Sequence, residues 1–249
     1  GFDRRLARGL GSKRNRNIVM MDSDSIDVAN IASYDVVIFL GGLIDSDSTD
    51  QHNSSEIYEE NVMKPCRLVN MMTKEQLLVV ASDGAIAEGC GGYQHHEAER
   101  PSLTLTGIAE SIRKRETCLY TSLRHSSSSP AVVVLRLATV VNFLQASLRK
   151  RDLPGGFVRE AYEKGVVLVN DPKRHVSFLS LDDFGRAMET ILEYDFHSSG
   201  RLFHIYNLQS FDCSVEALAI EVSHKTGAKL LFASSNHLAF AIGFALNAE

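Results

Sequence analysis

The chain has 249 residues, of which 44% are hydrophobic and 23% are charged, an ordinary composition for a globular protein with one sizeable domain and a smaller lobe. The formal net charge of −5 argues against nucleic acid or an anionic membrane as the main partner. No apolar run is long enough to span a bilayer. Four cysteines without paired spacing favour a reduced, intracellular compartment. Because the chain begins at Gly1 without methionine, we expect an upstream segment; the compartment is cytoplasmic or, with a presequence, organellar.

Buried strands alternate with helices through the first half of the chain. Short apolar runs rich in β-branched residues predict strands buried on both faces, at 17–21, 35–40, 77–81 and 131–136. Helices are predicted at 56–72 and from Thr106 onward, and Pro65 is expected to kink the first of them because it lacks a backbone N–H. This alternation predicts an α/β fold, a Rossmann-like doubly wound parallel sheet.

The stretch from Gln76 to Arg115 organises this half of the chain, since it contains the central strand and the start of its helix. The helix carries an apolar stripe at helical spacing, formed by Ile108, Ile112, Leu119 and Leu123. Arg113, Lys114 and Glu116 lie off that stripe, and we predict that they face solvent.

The second half of the chain has a different composition and predicts a small carboxyl-terminal lobe. We place the division so that 1–141 form the dinucleotide-fold domain and 142–249 form a mixed segment that includes the small lobe. Strands are predicted at 166–170 and 202–206. A helix is predicted at 214–225, with Ser214 as its N-cap.

Two groups of residues follow predicted strands at the edge where open α/β sheets bind their ligands. Gly41 and Gly42 follow one strand, where a ligand can approach the backbone because no Cβ is in the way. Ser82 and Asp83 end the next strand. The later segment 89–101 contains cysteine, histidine and glutamate, but their spacing matches no structural zinc pattern, so no metal site is predicted.

Six short motifs occur in a fixed order along most of the chain. They are Ser33–Gly42 (SYDVVIFLGG), Asn61-Val62, Val79–Ser82 (VVAS), Val133–Thr139 (VVLRLAT), Ser180–Asp183 (SLDD) and Tyr206–Leu208 (YNL). In this order they resemble the extended short-chain dehydrogenases, the nucleotide-sugar epimerase/dehydratase group. The resemblance implies a dinucleotide cofactor and a nucleotide sugar as the small-molecule partners, and it leaves a homodimer or a larger complex open.

The resemblance implies NAD as the cofactor, with NADP or no dinucleotide as alternatives. Asp3 would meet the adenosine ribose, where an acid favours NAD because it repels a 2′-phosphate. Asp22 would contact the adenine amino group. A solvated turn for Asp3 and a helix N-cap for Asp22 remain open. The glycine-rich phosphate loop would precede residue 1. The full set implied to bind cofactor is Asp3, Asp22, Gly41, Gly42, Asn61 and Ser82.

The family's catalytic residues are replaced in this sequence. The family has Tyr-x-x-x-Lys at the start of the long helix, whereas this chain has Thr106 and Glu110 at those positions. The family's loop Ser or Thr falls at Asp83 or Gly84, and only a shifted register brings Ser82 there. A threonine hydroxyl cannot act as the phenolate does near neutral pH, and a carboxylate would raise its pKa further.

Three functions remain open at this point. The degenerate motif favours a non-catalytic dinucleotide-binding protein that acts as a scaffold or regulatory subunit. The alternative is an active epimerase, dehydratase or reductase that uses Asp83 and Glu110 as acid and base. A peptide- or protein-binding module without a dinucleotide is the third.

Overall fold

The structure, a computed structural model, describes residue 19 and the ranges 31–40, 54–83, 107–124, 128–141 and 153–233; for residues 83 and 107–109 it describes the backbone only. These residues divide into two compact units. The first contains the described residues up to Ala138 together with Leu181–Leu208, and the second contains the described residues of Thr139–Ser180 and those from Gln209 onward. The division at residue 141 stays a prediction, and the structure adds that 181–208 join the first unit.

The first unit is built on a parallel sheet. Its described strands are β1 (Val36–Phe39), β2 (Leu77–Asp83), β3 (Ala131–Leu137) and, later in the chain, β7 (Phe203–Leu208). They are ordered β1-β2-β3-β7, and each neighbouring pair is parallel. The central strands β2 and β3 are apolar over their first five residues, where the side chains on both faces are buried. The predicted α/β fold with a parallel sheet is confirmed.

A helical segment precedes β2 and contains a π-helical turn. It consists of α1 (Ser54–Tyr58), the π-turn (Glu59–Met63) and α2 (Lys64–Met71). The Lys64 amide donates to the Glu59 carbonyl, five residues earlier. We attribute this π-turn to Pro65. Proline has no N–H to donate to the carbonyl four residues before it, and its ring crowds that carbonyl. The predicted helix is therefore present, and the disturbance expected at Pro65 takes the form of a π-turn.

The helix α3 (Gly107–Arg124) connects β2 to β3 and covers the same face of the sheet as α2. Leu119 and Leu123 pack with Cys66 and Val69 of α2 and with alternate residues of the strands. In a β-α-β connection the helix runs antiparallel to its strands, so the start of α3 lies toward the carboxyl edge of the sheet.

The described part of the second unit contains two small sheets and two helices. Its strands are β4 (Thr139–Val141), β5 (Val166–Val169), β6 (His175–Ser180), β8 (Phe211–Ser214) and β9 (Lys229–Phe232). One sheet has the order β4-β6-β8, and β5 pairs with β9 in parallel. Two helices, α4 (Gly155–Lys164) and α6 (Val215–Thr226), pack on the second pair of strands around a small apolar core.

Helix boundaries in this unit follow local chemistry. Ser214 caps α6, because its Oγ accepts a hydrogen bond of 3.1 Å from the Ala217 amide, as the sequence predicts. Gly165 and Gly227 end α4 and α6 with φ of 67° and 72°, in the left-handed region that glycine enters without a steric penalty. The Lys229 amide then donates to the Gly165 carbonyl at 2.9 Å, which aligns β9 with β5.

The helix α5 (Leu181–Glu193) and β7 lie in the sequence between the two segments of the second unit, but they belong to the first unit. The predicted strand at 17–21 lies outside the described residues apart from Val19, which is exposed and belongs to no strand. No helix in the described ranges is long and apolar enough to cross a membrane.

Candidate functional site

Polar residues stand in register at the carboxyl edge of the sheet, on the face covered by α2 and α3. Ser82 of β2 pairs with Arg136 of β3, which pairs with Asn207 of β7; we refer to these three residues as the polar row. Two residues earlier on the same face, Val80 and Val134 are fully buried in the apolar core. The sheet therefore changes from apolar to polar at the edge where α/β folds bind ligands.

The first half of α3 covers the polar row and supplies its partners. Ser111, Arg115 and Glu116 are all buried, whereas Arg113 and Lys114 are exposed as predicted. The prediction that Glu116 faces solvent is wrong. Glu116 lies four residues after the buried Ile112 and therefore belongs to the inward stripe of the helix.

Glu116 is held inside by a two-point ion pair with Arg136. The Arg136 Nε donates to Glu116 Oε1 at 2.8 Å, and Nη2 donates to Oε2 at 2.7 Å. The two side chains are only 11% and 9% exposed. Burying either charge alone would be unfavourable, and the paired geometry offsets that cost.

Arg115 forms the second contact between α3 and the polar row. It is 1% exposed, and its Nη2 donates to the Ser82 Oγ. Ser82 is buried as well, so its hydroxyl is engaged by an arginine of the covering helix. The assignment of Ser82 to cofactor binding stays a prediction.

Asn61 joins the π-turn to α3. Its Nδ2 donates to the Ser111 Oγ at 2.8 Å, and both residues are buried. Asn61 therefore helps to fix α3 above the polar row, next to the edge where the resemblance implies a cofactor. Its own contact with a cofactor stays a prediction.

Glu110, in the position where the resemblance implies a lysine, is solvent-accessible. Lys114 Nζ lies 2.9 Å from Glu110 Oε1, one helical turn further along α3. The hydrogen bond and positive charge of Lys114 lower the pKa of the Glu110 carboxyl below its ordinary 4.5. At neutral pH the side chain is thus a stable carboxylate, already paired with a lysine.

Replacing Lys114 with methionine should raise the Glu110 pKa toward 4.5, because the largest cause of its lowering is removed. The carboxylate is favoured in the folded state, so its contribution to stability is present above pH 4.5 and is lost as the pH falls through the lowered pKa. Carboxyl chemical shifts followed by NMR would measure the change. Lys164→Met is the control, because Lys164 pairs with Glu160 on α4 in the same way; an unchanged Glu110 titration in Lys114→Met would contradict the assignment.

Several predicted site residues lie outside the described part of the chain. These are Asp3, Asp22, Gly41, Gly42 and Thr106, and for Asp83 only the backbone at the end of β2 is described. Phe39 of β1 is in register with Val80 of β2. β1 therefore ends toward the same edge of the sheet as Ser82. Among the described residues no group of three His, Cys, Asp or Glu could hold a metal ion.

Sequence analysis missed the network that joins α3 to the sheet. One signal for it is present in the sequence: Arg136 is a single charge near the end of an otherwise apolar strand. Such a residue in a buried strand requires a charged or polar partner. The partner, Glu116, could not be identified without the position of the helix on the sheet.

Comparisons with known proteins point to a single fold. No protein-family model matches the chain, and no curated protein does. Many solved structures match, among them MoeE5 in complex with UDP-glucuronic acid and NAD, with 19% identity, coverage of 87% of this chain and 71% of that chain, and a TM-score of 0.68.

Two further structures give the same result. UDP-glucuronic acid 4-epimerase from Bacillus cereus has 16% identity, covers 86% of this chain and 68% of its own, and has a TM-score of 0.68. TunA, a NAD-dependent NDP-hexosamine 5,6-dehydratase, has 15% identity with the same coverages and TM-score. The chain has the epimerase/dehydratase fold. This confirms, at the level of the fold, the resemblance carried by the sequence motifs.

Proposed function

We propose that this chain is a NAD-binding protein of the epimerase/dehydratase fold that does not catalyse hydride transfer and acts as a scaffold or regulatory subunit. The observation that carries the proposal is the Glu110–Lys114 pair, which puts a carboxylate where the resemblance requires a lysine. Thr106, which the resemblance places at the tyrosine position, supports the same conclusion from the sequence.

The electrostatic argument concerns proton transfer. In the family a lysine and the positive nicotinamide ring lower the pKa of the tyrosine so that it can exchange a proton near neutral pH. Glu110 has a lowered pKa and is negative over the whole neutral range. A negative charge at that position would disfavour an ionised hydroxyl at Thr106, whose intrinsic pKa is already far too high.

Glu110 is also poorly suited to the alternative role of general acid. A carboxyl group that donates protons at neutral pH needs a raised pKa, which burial or a nearby negative charge supplies. Glu110 has neither, since it is accessible to solvent and lies next to Lys114. An active enzyme that uses Asp83 and Glu110 as acid and base is therefore the less supported alternative.

The cofactor that we propose is NAD, and two of the structural neighbours, MoeE5 and the Bacillus cereus epimerase, were crystallised with it. The chain offers a suitable edge: β1 ends opposite Val80 of the parallel strand β2, Gly41 follows β1 in the sequence, and glycine lets a ligand approach the backbone closely. We assign Asp3, Asp22, Gly41 and Gly42 to contacts with the adenosine half of NAD. Asn61 and Ser82 complete the proposed set of cofactor-binding residues. When bound, NAD would supply a hydride acceptor, and in this proposal no residue completes the acid–base chemistry.

The test is a titration of the full-length protein with NAD and NADP by calorimetry, followed by incubation with UDP-glucose or UDP-glucuronic acid while the nicotinamide absorbance is recorded. We expect binding of NAD and no reduction of it. Reduction by either sugar nucleotide would overturn the non-catalytic assignment. Absence of any dinucleotide binding would overturn the cofactor assignment and favour a protein-binding module.

A further inference from the structure

The hydroxyl of Ser82 has an unused hydrogen-bond donor within the described part of the chain. Ser82 is 2% exposed, and its Oγ accepts a hydrogen bond from Arg115 Nη2. A serine hydroxyl also has one proton to donate. Among the residues that the structure describes, no acceptor takes that proton. The proton is therefore available to a bound ligand.

Arg115 determines which way the Ser82 hydroxyl points. A guanidinium group has five N–H donors and no acceptor, and it stays protonated over the whole accessible pH range. The hydroxyl can therefore only accept from Arg115, and its own proton must point away from the guanidinium. Arg115 is 1% exposed, so water does not compete for this contact.

The charges near Ser82 strengthen it as a donor. Ser82 pairs in register with Arg136, which forms the two-point ion pair with Glu116. Together with Arg115, these charged side chains carry one net positive charge. A hydroxyl that accepts from a cation is polarised, and its own O–H becomes a better donor. Both effects favour an electron-rich oxygen as the group that receives the Ser82 proton.

The position of Ser82 in the sheet indicates where that oxygen comes from. Ser82 is the last residue but one of β2, at the carboxyl edge where α/β sheets bind ligands. Val80, two residues earlier on the same face, is already part of the apolar core. An unused buried donor is unfavourable, but at the ligand-binding edge a ligand can supply the acceptor.

We propose that Arg115 is a positioning residue that holds the Ser82 hydroxyl as a hydrogen-bond donor to an oxygen atom of the bound dinucleotide. This inference rests on the proposed binding of NAD and specifies the contact that Ser82 makes with it. Ser82 donates, a carboxamide, ribose or phosphate oxygen of NAD accepts, and Arg115 acts on NAD through Ser82 alone.

The experiment measures the NAD dissociation constant by calorimetry for the full-length parent and for variants of the two residues. Ser82→Ala removes the donor and should weaken NAD binding roughly threefold to tenfold, the effect of one neutral hydrogen bond. Arg115→Met removes the group that orients the hydroxyl and should also weaken binding. The double variant should bind as Ser82→Ala does, because Arg115 has no effect without the hydroxyl. Arg115→Lys, which can donate but not accept, should bind more tightly than Arg115→Met.

Arg113→Met is the matched control, because Arg113 lies on the same helix but is exposed. It removes the same charge and should leave the dissociation constant within about twofold of the parent value, since solvent and salt screen an exposed charge. Melting curves without NAD separate a loss of stability from a loss of affinity.

Three results would overturn the proposal. If Arg115→Met weakens binding in the Ser82→Ala background as much as in the parent, Arg115 acts independently of Ser82. If Ser82→Ala binds NAD as the parent does, Ser82 donates nothing to the ligand, and the assignment of NAD still stands. If the parent binds no NAD, both the inference and the assignment of NAD fail. Should Arg115→Met not fold, a loss of affinity in Ser82→Ala together with its retention in Arg115→Lys supports the proposal, and any other combination overturns it.

Discussion

Replacing Glu116 with glutamine is expected to lower the free energy of unfolding by about 3–5 kcal/mol, because Arg136, whose side chain is only 11% exposed, loses the carboxylate that pairs with it. For a domain of this size the melting temperature should fall by on the order of 10 °C. Urea denaturation followed by circular dichroism would measure the change. An effect below about 1 kcal/mol, the range of exposed pairs, would contradict the buried geometry.

Two further variants separate the ion pair from a general effect of losing a charge on α3. Glu110→Gln removes a carboxylate from the same helix, but one that is accessible to solvent, and it should have a small effect because exposed pairs contribute little. The double variant Glu116→Leu, Arg136→Met removes both charges and leaves none buried alone. It should be more stable than Glu116→Gln, since apolar residues of similar volume often replace a buried pair without loss.

A variant with Thr106→Tyr and Glu110→Lys is expected to reduce bound NAD with a sugar nucleotide about 10²-fold above the background of the parent, the low end of what a positioned acid or base contributes. The gain should be modest for two reasons. Ser82 still accepts a hydrogen bond from Arg115, and the position of the family's loop Ser or Thr is still occupied by Asp83 or Gly84. Stopped-flow absorbance of the nicotinamide in the full-length protein would measure the rate.

The Glu110–Lys114 contact shows how to design this variant. Glu110→Lys alone places two lysines one turn apart, which repel each other, so Lys114→Glu should be added to keep an ion pair. The control carries Glu110→Lys and Lys114→Glu but retains Thr106, and it should show no turnover. Turnover in the parent, or an unchanged background in the variant with the tyrosine, would contradict the assignment of these two positions as the missing chemistry.

The strands could be predicted because burial on both faces leaves a signal in consecutive residues. The predicted strands 77–81 and 131–136 correspond to β2 and β3, and their residues 77–81 and 131–135 are continuously apolar. The Ser214 cap could be predicted equally well, because a cap is a contact between residues three apart in the sequence. Features of this kind depend on short sequence separations.

The polar network could not be predicted because its contacts connect distant parts of the chain. Glu116 follows three consecutive charged residues, a pattern typical of an exposed helical face. Only the position of α3 on the sheet shows that Glu116 meets Arg136, 20 residues later, and that Arg115 meets Ser82, 33 residues earlier. Sequence separations of this size carry no periodic signal.

The π-turn at Glu59–Met63 also bears on how this protein tolerates changes of length. A π-turn closes its hydrogen bonds over one more residue than an α-turn, so deletion of one residue there would restore α-helical spacing apart from the hydrogen bond that Pro65 cannot donate. The preceding α1 would then rotate by about 100° relative to α2, the angle that one residue occupies in an α-helix. Asn61 and Val62, both buried, lie within the turn, so a deletion on the amino-terminal side of Asn61 preserves the contact with Ser111. A deletion between Asn61 and Pro65 would move Asn61 away from α3, and homologous chains that lack one residue here should lack it before the asparagine.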